Sequence, residues 1–409
     1  MNFHNKTLIT DDFIFYLACD NKEEAKKIFT KINKEKHQYL VHKIIELRMM
    51  FPFLSLIREG KFLEFLEEPY AKRLINRSEY IIKSNLIFYA QCIKISEKFD
   101  DLNIEYRFLK GVPLSLCFHK EINQREIRDL DLLVEKKDLS KAYNALIDLG
   151  FSAEYKQSSQ SLPNLDEEKY YDIPKLIHKD GTVLELHFSI DKSSEISKKL
   201  TTQINKNKDI AKIGGKNIKV PSDHDLLAHV IYHGTRKEIF NPGTNILSDV
   251  NSILIQGIEE NKIKENFKNL GLLKELFLII KILNFYSGKR FFLTDKDFIA
   301  HSKKNDRQIE AAKKLMLNRV IPNELIPFYL SKSYMDKLSR IIKTLFPPNK
   351  TLSHKYLYEG SKLNMLPFKI KRIKEILHQL AGYLNKGLKR KTVRDEIEEI
   401  REIKNYFSE

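Results

Sequence analysis

Residues 106–135 read YRFLKGVPLSLCFHKEINQREIRDLDLLVE, and this stretch decides the fold. The apolar run that ends at Arg107-Phe108-Leu109 predicts a strand, and Lys110-Gly111 interrupts it. Pro113 then opens a helical segment, since proline is well tolerated in the first turn of a helix. A strand, a glycine turn and a helix N-terminus together favour an anion, because the first N–H groups of a helix lack backbone partners. Gly111 would let the backbone approach that anion closely.

A second strand is predicted over Asp129-Leu130-Asp131-Leu132-Leu133-Val134. Successive side chains of a strand point to opposite faces, so the two aspartates share one face and the leucines at 130 and 132 share the other. Two neighbouring carboxylates repel each other and contribute little to a fold by themselves. A hard divalent cation such as Mg²⁺ between them would relieve that repulsion.

A third acid lies in the alternating segment 183–188, which carries Glu185 and His187 on one predicted face. Lys179-Asp180-Gly181 predicts a hairpin turn that delivers Glu185 to the aspartate pair. Glu185 is predicted to act as a third metal ligand or a general base, and a cross-strand pair with a nearby lysine is the alternative. A D-x-D strand beside a strand with a third carboxylate is the layout expected for metal-assisted phosphoryl or nucleotidyl transfer.

The ordered motifs L-K-G (109–111), R-D-L-D-L-L-V (128–134) and L-E-L-H-F (184–188) resemble the nucleotidyltransferase superfamily of the DNA polymerase β type. Within it, the chain is most similar to a largely uncharacterised bacterial family with Lys-Gly in the first motif, over roughly residues 80–255. The resemblance implies an α+β (mixed α/β) fold, a small mixed sheet flanked by helical regions. It also implies an NTP substrate such as ATP, with Mg²⁺ or Mn²⁺ held by the catalytic residues Asp129, Asp131 and Glu185.

Further residues are predicted to contact the nucleotide. Lys110 and Gly111 would hold the β- and γ-phosphates, although the superfamily usually has Gly-Ser or Gly-Gly in the first motif. The alternative for Lys110 is a solvated residue beside a turn. Arg125 and Arg128 are predicted to contact phosphates. His187 and His233 are predicted to line the cleft, and the alternative for His187 is a hydrogen bond to a residue that binds the metal.

Two other features have less specific interpretations. His229 and His233 stand four apart, a spacing that suits zinc, but no third ligand is evident. Asp249 resembles an acidic position of the family's helical region.

Composition limits the class of protein. The 409 residues include 42% hydrophobic and 31% charged side chains, which is typical of a globular protein with two or three domains. No apolar run is long enough to span a membrane, and the N-terminus lacks a secretory pattern, so a cytoplasmic protein is expected. The three cysteines, Cys19, Cys92 and Cys117, lie in apolar segments and are predicted to be reduced core residues.

The formal charge of +16 fits either a polyanionic partner or a lysine-rich coding bias. Nucleic acid is therefore a possible partner that the charge alone does not establish.

Helical and strand patterns divide the chain into three parts. Residues 1–100 are predicted to be helical, 101–221 to form the catalytic core, and 222–409 to form a C-terminal helical region. Residues 37–57 read as one helical segment broken at Pro52, and residues 156–169 as a loop, either an ordinary surface loop or a lid over the site.

The predicted reaction is transfer of a nucleoside monophosphate from an NTP to an acceptor hydroxyl or phosphate with two-metal catalysis. In that scheme Asp129 and Asp131 hold two metals, and Glu185 completes the metal on the acceptor side. The acceptor can be a small molecule, a protein or RNA, and no membrane partner is expected. Two alternatives are a toxin-type transferase acting on tRNA and a non-catalytic nucleotide-binding scaffold.

Overall fold

The structure of the protein is a computed structural model. It describes residues 3–60, 66–119, 124–153, 172–192, 194–241, 243–302, 305–331, 333–347, 352, 366–385 and 390–408. The predicted loop at 156–169 lies outside these residues.

A mixed sheet of five strands carries the motifs found in the sequence. Its strands are β1 (Tyr106–Leu109), β2 (Leu130–Val134), β3 (Phe151–Ala153), β4 (Leu176–His178) and β5 (Val183–His187), in the spatial order β1-β2-β5-β4-β3. β2 and β5 are parallel, and the other neighbouring pairs are antiparallel. The predicted α+β class with a small mixed sheet is confirmed.

Pairing between β2 and β5 aligns the acidic residues. Asp131 lies opposite Glu185, and Leu133 lies opposite His187. Every residue of β2 is buried, which fixes the register, because a slip by one residue would turn Asp131 into the core and leucines into the cleft. The parallel pairing therefore brings together two motifs that are more than fifty residues apart in the chain.

Two glycine turns form hairpins, and the first of them lies where the sequence predicts it. β4 and β5 are joined through Lys179-Asp180-Gly181, and Gly181 has a φ of 89°. A second, two-stranded sheet consists of β6 (Lys208–Ile213) and β7 (Lys216–Pro221), joined through Gly214-Gly215. The positive φ angles of these turns suit glycine, which lacks a Cβ atom.

The N-terminal region is helical, as predicted. Its helices are α1 (Phe3–Ala18), α2 (Lys22–Phe29), α3 (His37–Glu46), α4 (Met50–Gly60) and the long α5 (Glu68–Asp101) that leads to β1. The predicted break at Pro52 is wrong. The chain turns instead at Leu47-Arg48-Met49, and Pro52 lies in the first turn of α4, where its missing N–H has no helical partner to lose.

The remaining helices surround the sheet and continue to the end of the described chain. α6 (Gly111–Cys117), α7 (Leu139–Asp148) and α8 (Glu195–Lys206) belong to the sheet region. After them come α9 (Asp223–Tyr232), α10 (Asn245–Leu254), α11 (Glu260–Leu270), α12 (Leu273–Tyr286), α13 (Lys296–Ser302), α14 (Asp306–Asn318), α15 (Ile326–Leu330), α16 (Tyr334–Leu345), α17 (Leu366–Asn385) and α18 (Arg390–Ser408). A five-residue π-helix, His233–Lys237, continues α9.

The described residues form two hydrophobic cores that stabilise the fold. One surrounds the sheet and includes Phe108, Leu132 and Leu184. The other joins N-terminal residues such as Phe13 to C-terminal residues such as Ile400. Hydrogen bonds accompany this second core, for example from Asn21 Nδ2 to the carbonyl oxygen of Tyr286 at 2.9 Å. The N- and C-terminal helices thus pack against each other, while the division at residues 100 and 221 remains a prediction.

Two other predictions concern exposure to solvent. Cys19 and Cys92 are buried free thiols as expected, but Cys117 is exposed, so its assignment to the core is wrong. Cys117 is the last residue of α6, where the helix ends and its side chain leaves the apolar interior. Of the helices that the structure describes, none has the length and apolar character needed to cross a bilayer.

Candidate active site

A cleft of about 530 Å³ opens where the sheet meets α9, the π-helix and α10. Its volume lies within the range of about 300–1,000 Å³ that is typical of small-molecule sites. The predicted site residues on its wall are Lys110, Gly111, Arg125, Arg128, Asp129, Asp131, Glu185 and His233. Most of the sequence-predicted residues therefore meet in one place.

Asp131, Glu185 and His187 form a compact group at the base of the cleft. One ligand atom from each lies within 4.8 Å of the others. His187 Nε2 is 3.0 Å from Asp131 Oδ1 and 3.6 Å from Glu185 Oε2. Carboxylate and imidazole groups are common ligands of divalent cations. This group could hold a metal ion.

Lys110 contacts the same aspartate. Its Nζ donates a hydrogen bond of 2.6 Å to Asp131 Oδ1. The backbone of Lys110 has φ 49° and ψ −108°, a conformation that glycine adopts far more readily than lysine. Lysine here occupies the position that the superfamily usually gives to glycine, and the observed partner of its ammonium group is Asp131. Its contact with a phosphate remains a prediction.

These contacts change the proton affinities of both groups. Burial raises the pKa of Asp131, but the charge of Lys110 and the hydrogen bond from His187 outweigh burial and hold it far below its ordinary value. Burial likewise opposes the charged form of Lys110, yet Asp131 holds the pKa of Lys110 above its ordinary value. Both groups are therefore charged near neutral pH.

Asp129 and Glu185 respond differently to the crowding of acids. Burial and the neighbouring Asp131 raise the pKa of Asp129, which lies immediately before β2 and outside the compact group. Burial and Asp131 also disfavour the charge of Glu185, but His187 and Lys175 outweigh them and lower its pKa. Lys175 Nζ is 2.8 Å from Glu185 Oε1, so the lysine contact considered as an alternative does form. The ligand role of Glu185 remains a prediction.

The residues predicted to contact phosphate differ in how strongly the protein holds their side chains. Arg125 is held by Asp249 through two bonds, Nε to Oδ1 at 2.8 Å and Nη2 to Oδ2 at 3.1 Å. The side chain of Arg128 is half exposed, with its Nε 3.5 Å from Glu126 Oε1. A Cβ atom at Gly111 would meet Ile127 at 3.7 Å, an ordinary contact, so protein packing does not require glycine there.

His233 lies on the cleft wall in the π-helix. Its ring centroid is 6.2 Å from that of His229, which is buried in α9. Burial and the charge of Lys110 keep the pKa of both histidines well below the ordinary value. No third side chain joins these two as a metal group among the residues that the structure describes. Both are neutral near pH 7, and His233 is the one of the two that lines the cleft, where it could contact a ligand.

A comparison with models of known protein families identifies the family of this chain. A family model described as an uncharacterised nucleotidyltransferase matches residues 34–286, which is more than half of the chain. The chain belongs to this nucleotidyltransferase family.

One similar solved structure is that of an antigenic nucleotidyltransferase-like protein from Paracoccidioides brasiliensis. It is 16% identical, the match covers 53% of this chain and 92% of that chain, and the TM-score is 0.29. A comparison with curated proteins finds no match.

Membership in this family supports the assignment of the protein as a transferase that acts on an NTP.

The cleft also contains residues that the sequence analysis did not predict. Arg48, Asp172, Lys175 and Lys237 line the cleft of this nucleotidyltransferase, yet none was singled out. Arg48 stands in a turn between helices, where hydrophobic periodicity gives no signal. Lys237 belongs to the π-helix, and its position on the wall depends on that departure from regular helical spacing.

Proposed function

We propose that the protein transfers a nucleoside monophosphate from an NTP to an acceptor hydroxyl or phosphate and releases pyrophosphate. One observation carries this proposal. The parallel pairing of β2 with β5 sets Asp131 opposite Glu185 at the base of a cleft whose walls also bear basic side chains. Acids that converge beside cations suit a substrate that combines a polyphosphate with divalent metal.

The donor set fits a hard divalent cation. Asp131, Glu185 and His187 offer closely spaced ligand atoms. Burial and then the charge of Asp131 raise the pKa of Asp129, and a cation would relieve the repulsion between the two carboxylates. We propose that Asp129, Asp131 and Glu185 hold Mg²⁺ or Mn²⁺. Such a metal supplies charge stabilisation for the transferred phosphoryl group.

The chain's own residues orient the reactants. Lys110 and His187 fix the carboxylate of Asp131 through bonds to one oxygen, so its rotation is restricted. Glu185 points into the cleft beside it, where it could accept the proton of an acceptor hydroxyl. Gly111 lines the same cleft and, without a Cβ atom, would let a phosphate approach its backbone closely. A reaction that uses NTP also supports the expected cytoplasmic location.

The test is incubation of the protein with each α-labelled NTP, Mg²⁺ or Mn²⁺, and cell extract separated into protein, RNA and small-molecule fractions. We expect label to become covalently attached to one fraction and EDTA to prevent it. The Asp129→Asn protein serves as the inactive control. Absence of labelling in every fraction, together with no binding of any NTP by the purified chain, would contradict the proposal.

A further inference from the structure

One end of the cleft carries three guanidinium groups, from Arg48, Arg125 and Arg128, here called the arginine group. Arg125 is neutralised by its paired bonds with Asp249. Arg48 differs from it. Its guanidinium group makes no hydrogen bond or ion pair with any other residue in the part of the chain that the structure describes. A cation on the wall of a cleft without a protein partner is suited to bind an anion.

Neighbouring acids do not remove this excess of positive charge. Glu126 Oε1 lies 3.5 Å from Arg128 Nε and accepts a hydrogen bond of 2.8 Å from Arg77 Nη2. One carboxylate is therefore shared between two arginines. Burial, then repulsion from Arg128 and Arg125, lowers the pKa of Arg48 to about 10, and these effects outweigh the opposing charges of Glu126 and Asp129. An anion bound at this end would relieve that repulsion.

The backbone at Arg48 is energetically unfavourable for arginine. α3 ends in a motif in which the N–H of Met49 donates to the carbonyl oxygen of Ile44 at 2.8 Å and the N–H of Arg48 donates to that of Ile45 at 3.2 Å. Arg48 has a φ of 57°, at the position that is usually glycine in this motif. The fold thus accepts a left-handed arginine where glycine would be more stable, and this residue lies on the cleft.

We propose that Arg48 and Arg128 bind the polyphosphate of the nucleotide, an inference that rests on the proposed nucleotidyl transfer. The planar guanidinium fork matches phosphate oxygens in pairs, which a lysine cannot do. Lys110, which the sequence predicts to contact the phosphates, donates a hydrogen bond to Asp131. Arg125, fixed by Asp249, positions this wall. The polyphosphate site is therefore completed by the N-terminal helical region.

The experiment measures binding to the full-length chain by calorimetry, with Mg²⁺-tripolyphosphate, each Mg²⁺-NTP and each nucleoside as probes. We expect Arg48→Ala and Arg48→Gly to raise the Kd for tripolyphosphate and for the preferred NTP by about 10- to 100-fold, the usual effect of losing a charge-assisted hydrogen bond. Arg128→Ala should act in the same direction. Arg48→Lys should recover only part of the affinity, and nucleoside binding should not change.

Thermal unfolding distinguishes a loss of polyphosphate affinity from a general destabilisation of the fold. Arg48→Gly relieves the left-handed strain that Arg48→Ala keeps, so its Tm should exceed that of Arg48→Ala by roughly 1–2 °C, although both bind tripolyphosphate equally weakly. Asp20 provides a matched control. It is exposed, has a φ of 56° and ends α1 with the same two backbone bonds, at 2.9 and 3.2 Å. Asp20→Gly should raise the Tm without changing nucleotide binding.

The outcomes are distinguishable. A wild-type chain that binds none of the probes would remove the proposed function and this inference together. Wild-type binding of an NTP with an unchanged Kd in both Arg48 variants would overturn this inference alone. Unchanged tripolyphosphate binding with slower transfer by Arg48→Ala would assign the guanidinium group to the acceptor, and would also overturn it.

Discussion

Asp129 and Asp131 stand two residues apart and respond oppositely to their surroundings. The pKa of Asp131 lies below its ordinary value because Lys110 and His187 bind its charged form, whereas burial and like charge raise the pKa of Asp129. Charge on Asp131 therefore stabilises the fold without ligand, and charge on Asp129 opposes it. The two aspartates of one motif can be separated by experiment.

Asparagine at each position should reveal this difference. We expect Asp129→Asn and Asp131→Asn each to reduce nucleotidyl transfer by more than about 100-fold, beyond the usual cost of losing a residue that only supports a ligand. Asp131→Asn should also lower the free energy of unfolding by about 1–3 kcal/mol, because the buried ammonium group of Lys110 loses its ionic partner. Asp129→Asn should leave the Tm unchanged or raise it. Activity assays and thermal unfolding of both variants provide the measurements.

The pH dependence gives the sign of the Asp129 effect. A carboxyl group whose pKa is raised in the folded state favours folding when protonated, and this contribution is lost as pH rises through that pKa. Any stability advantage of Asp129→Asn should therefore shrink as the pH is lowered from 7 toward the ordinary pKa of aspartate. An advantage that grows in acid would contradict the assignment.

At the scale of single elements, the sequence predicted the strands and turns that carry the acids. The alternation around Asp131 and Glu185 and the turn at Lys179-Asp180-Gly181 were enough, because period-2 patterns and glycine turns are local signals. It did not predict the turn at Arg48 or the π-helix. Both depart from regular helical geometry. The turn has arginine at a left-handed position that is usually glycine, and tertiary contacts support the π-helix.

One such contact links the π-helix to the end of the chain. Arg236 Nε donates a hydrogen bond to Glu275 Oε1, and its Nη2 donates one of 2.7 Å to the carbonyl oxygen of Phe407 in α18. Glu275 is fully buried, so its charge depends on Arg236. The segment that bears His233 on the cleft wall is therefore held in place by α12 and α18.

Removal of either Arg236 or Glu275 alone should lower the free energy of unfolding more than removal of both. We expect Glu275→Ala to destabilise the protein by about 3–5 kcal/mol, because it leaves Arg236 without its carboxylate, and the double variant Arg236→Met, Glu275→Leu to regain most of that loss. Urea unfolding midpoints of the single and double variants measure the coupling. Losses that simply add would mean that the pair is not coupled.

At the scale of the whole molecule, the two cores predict two units of stability. Ile400 in α18 and Phe13 in α1 share one core, and Leu184 in β5 belongs to the other. We expect Ile400→Ala to accelerate amide exchange in α1 and α14 together and to affect β2 and β5 less. Leu184→Ala is the matched control with the opposite pattern. Amide hydrogen exchange measured by mass spectrometry tests this. Faster exchange confined to α18 in the Ile400→Ala variant would contradict the prediction.

The core that N-terminal and C-terminal helices share also has a consequence during synthesis. Phe15 stacks on Tyr286 with ring centroids 4.9 Å apart, and the same core closes only when Ile400 arrives. Ribosomes add about 5–20 residues per second, so the apolar faces of α1 and α2 wait on the order of tens of seconds for their partners. A nascent chain of this protein therefore exposes these apolar faces during that interval, and we expect it to be prone to aggregation until the core closes.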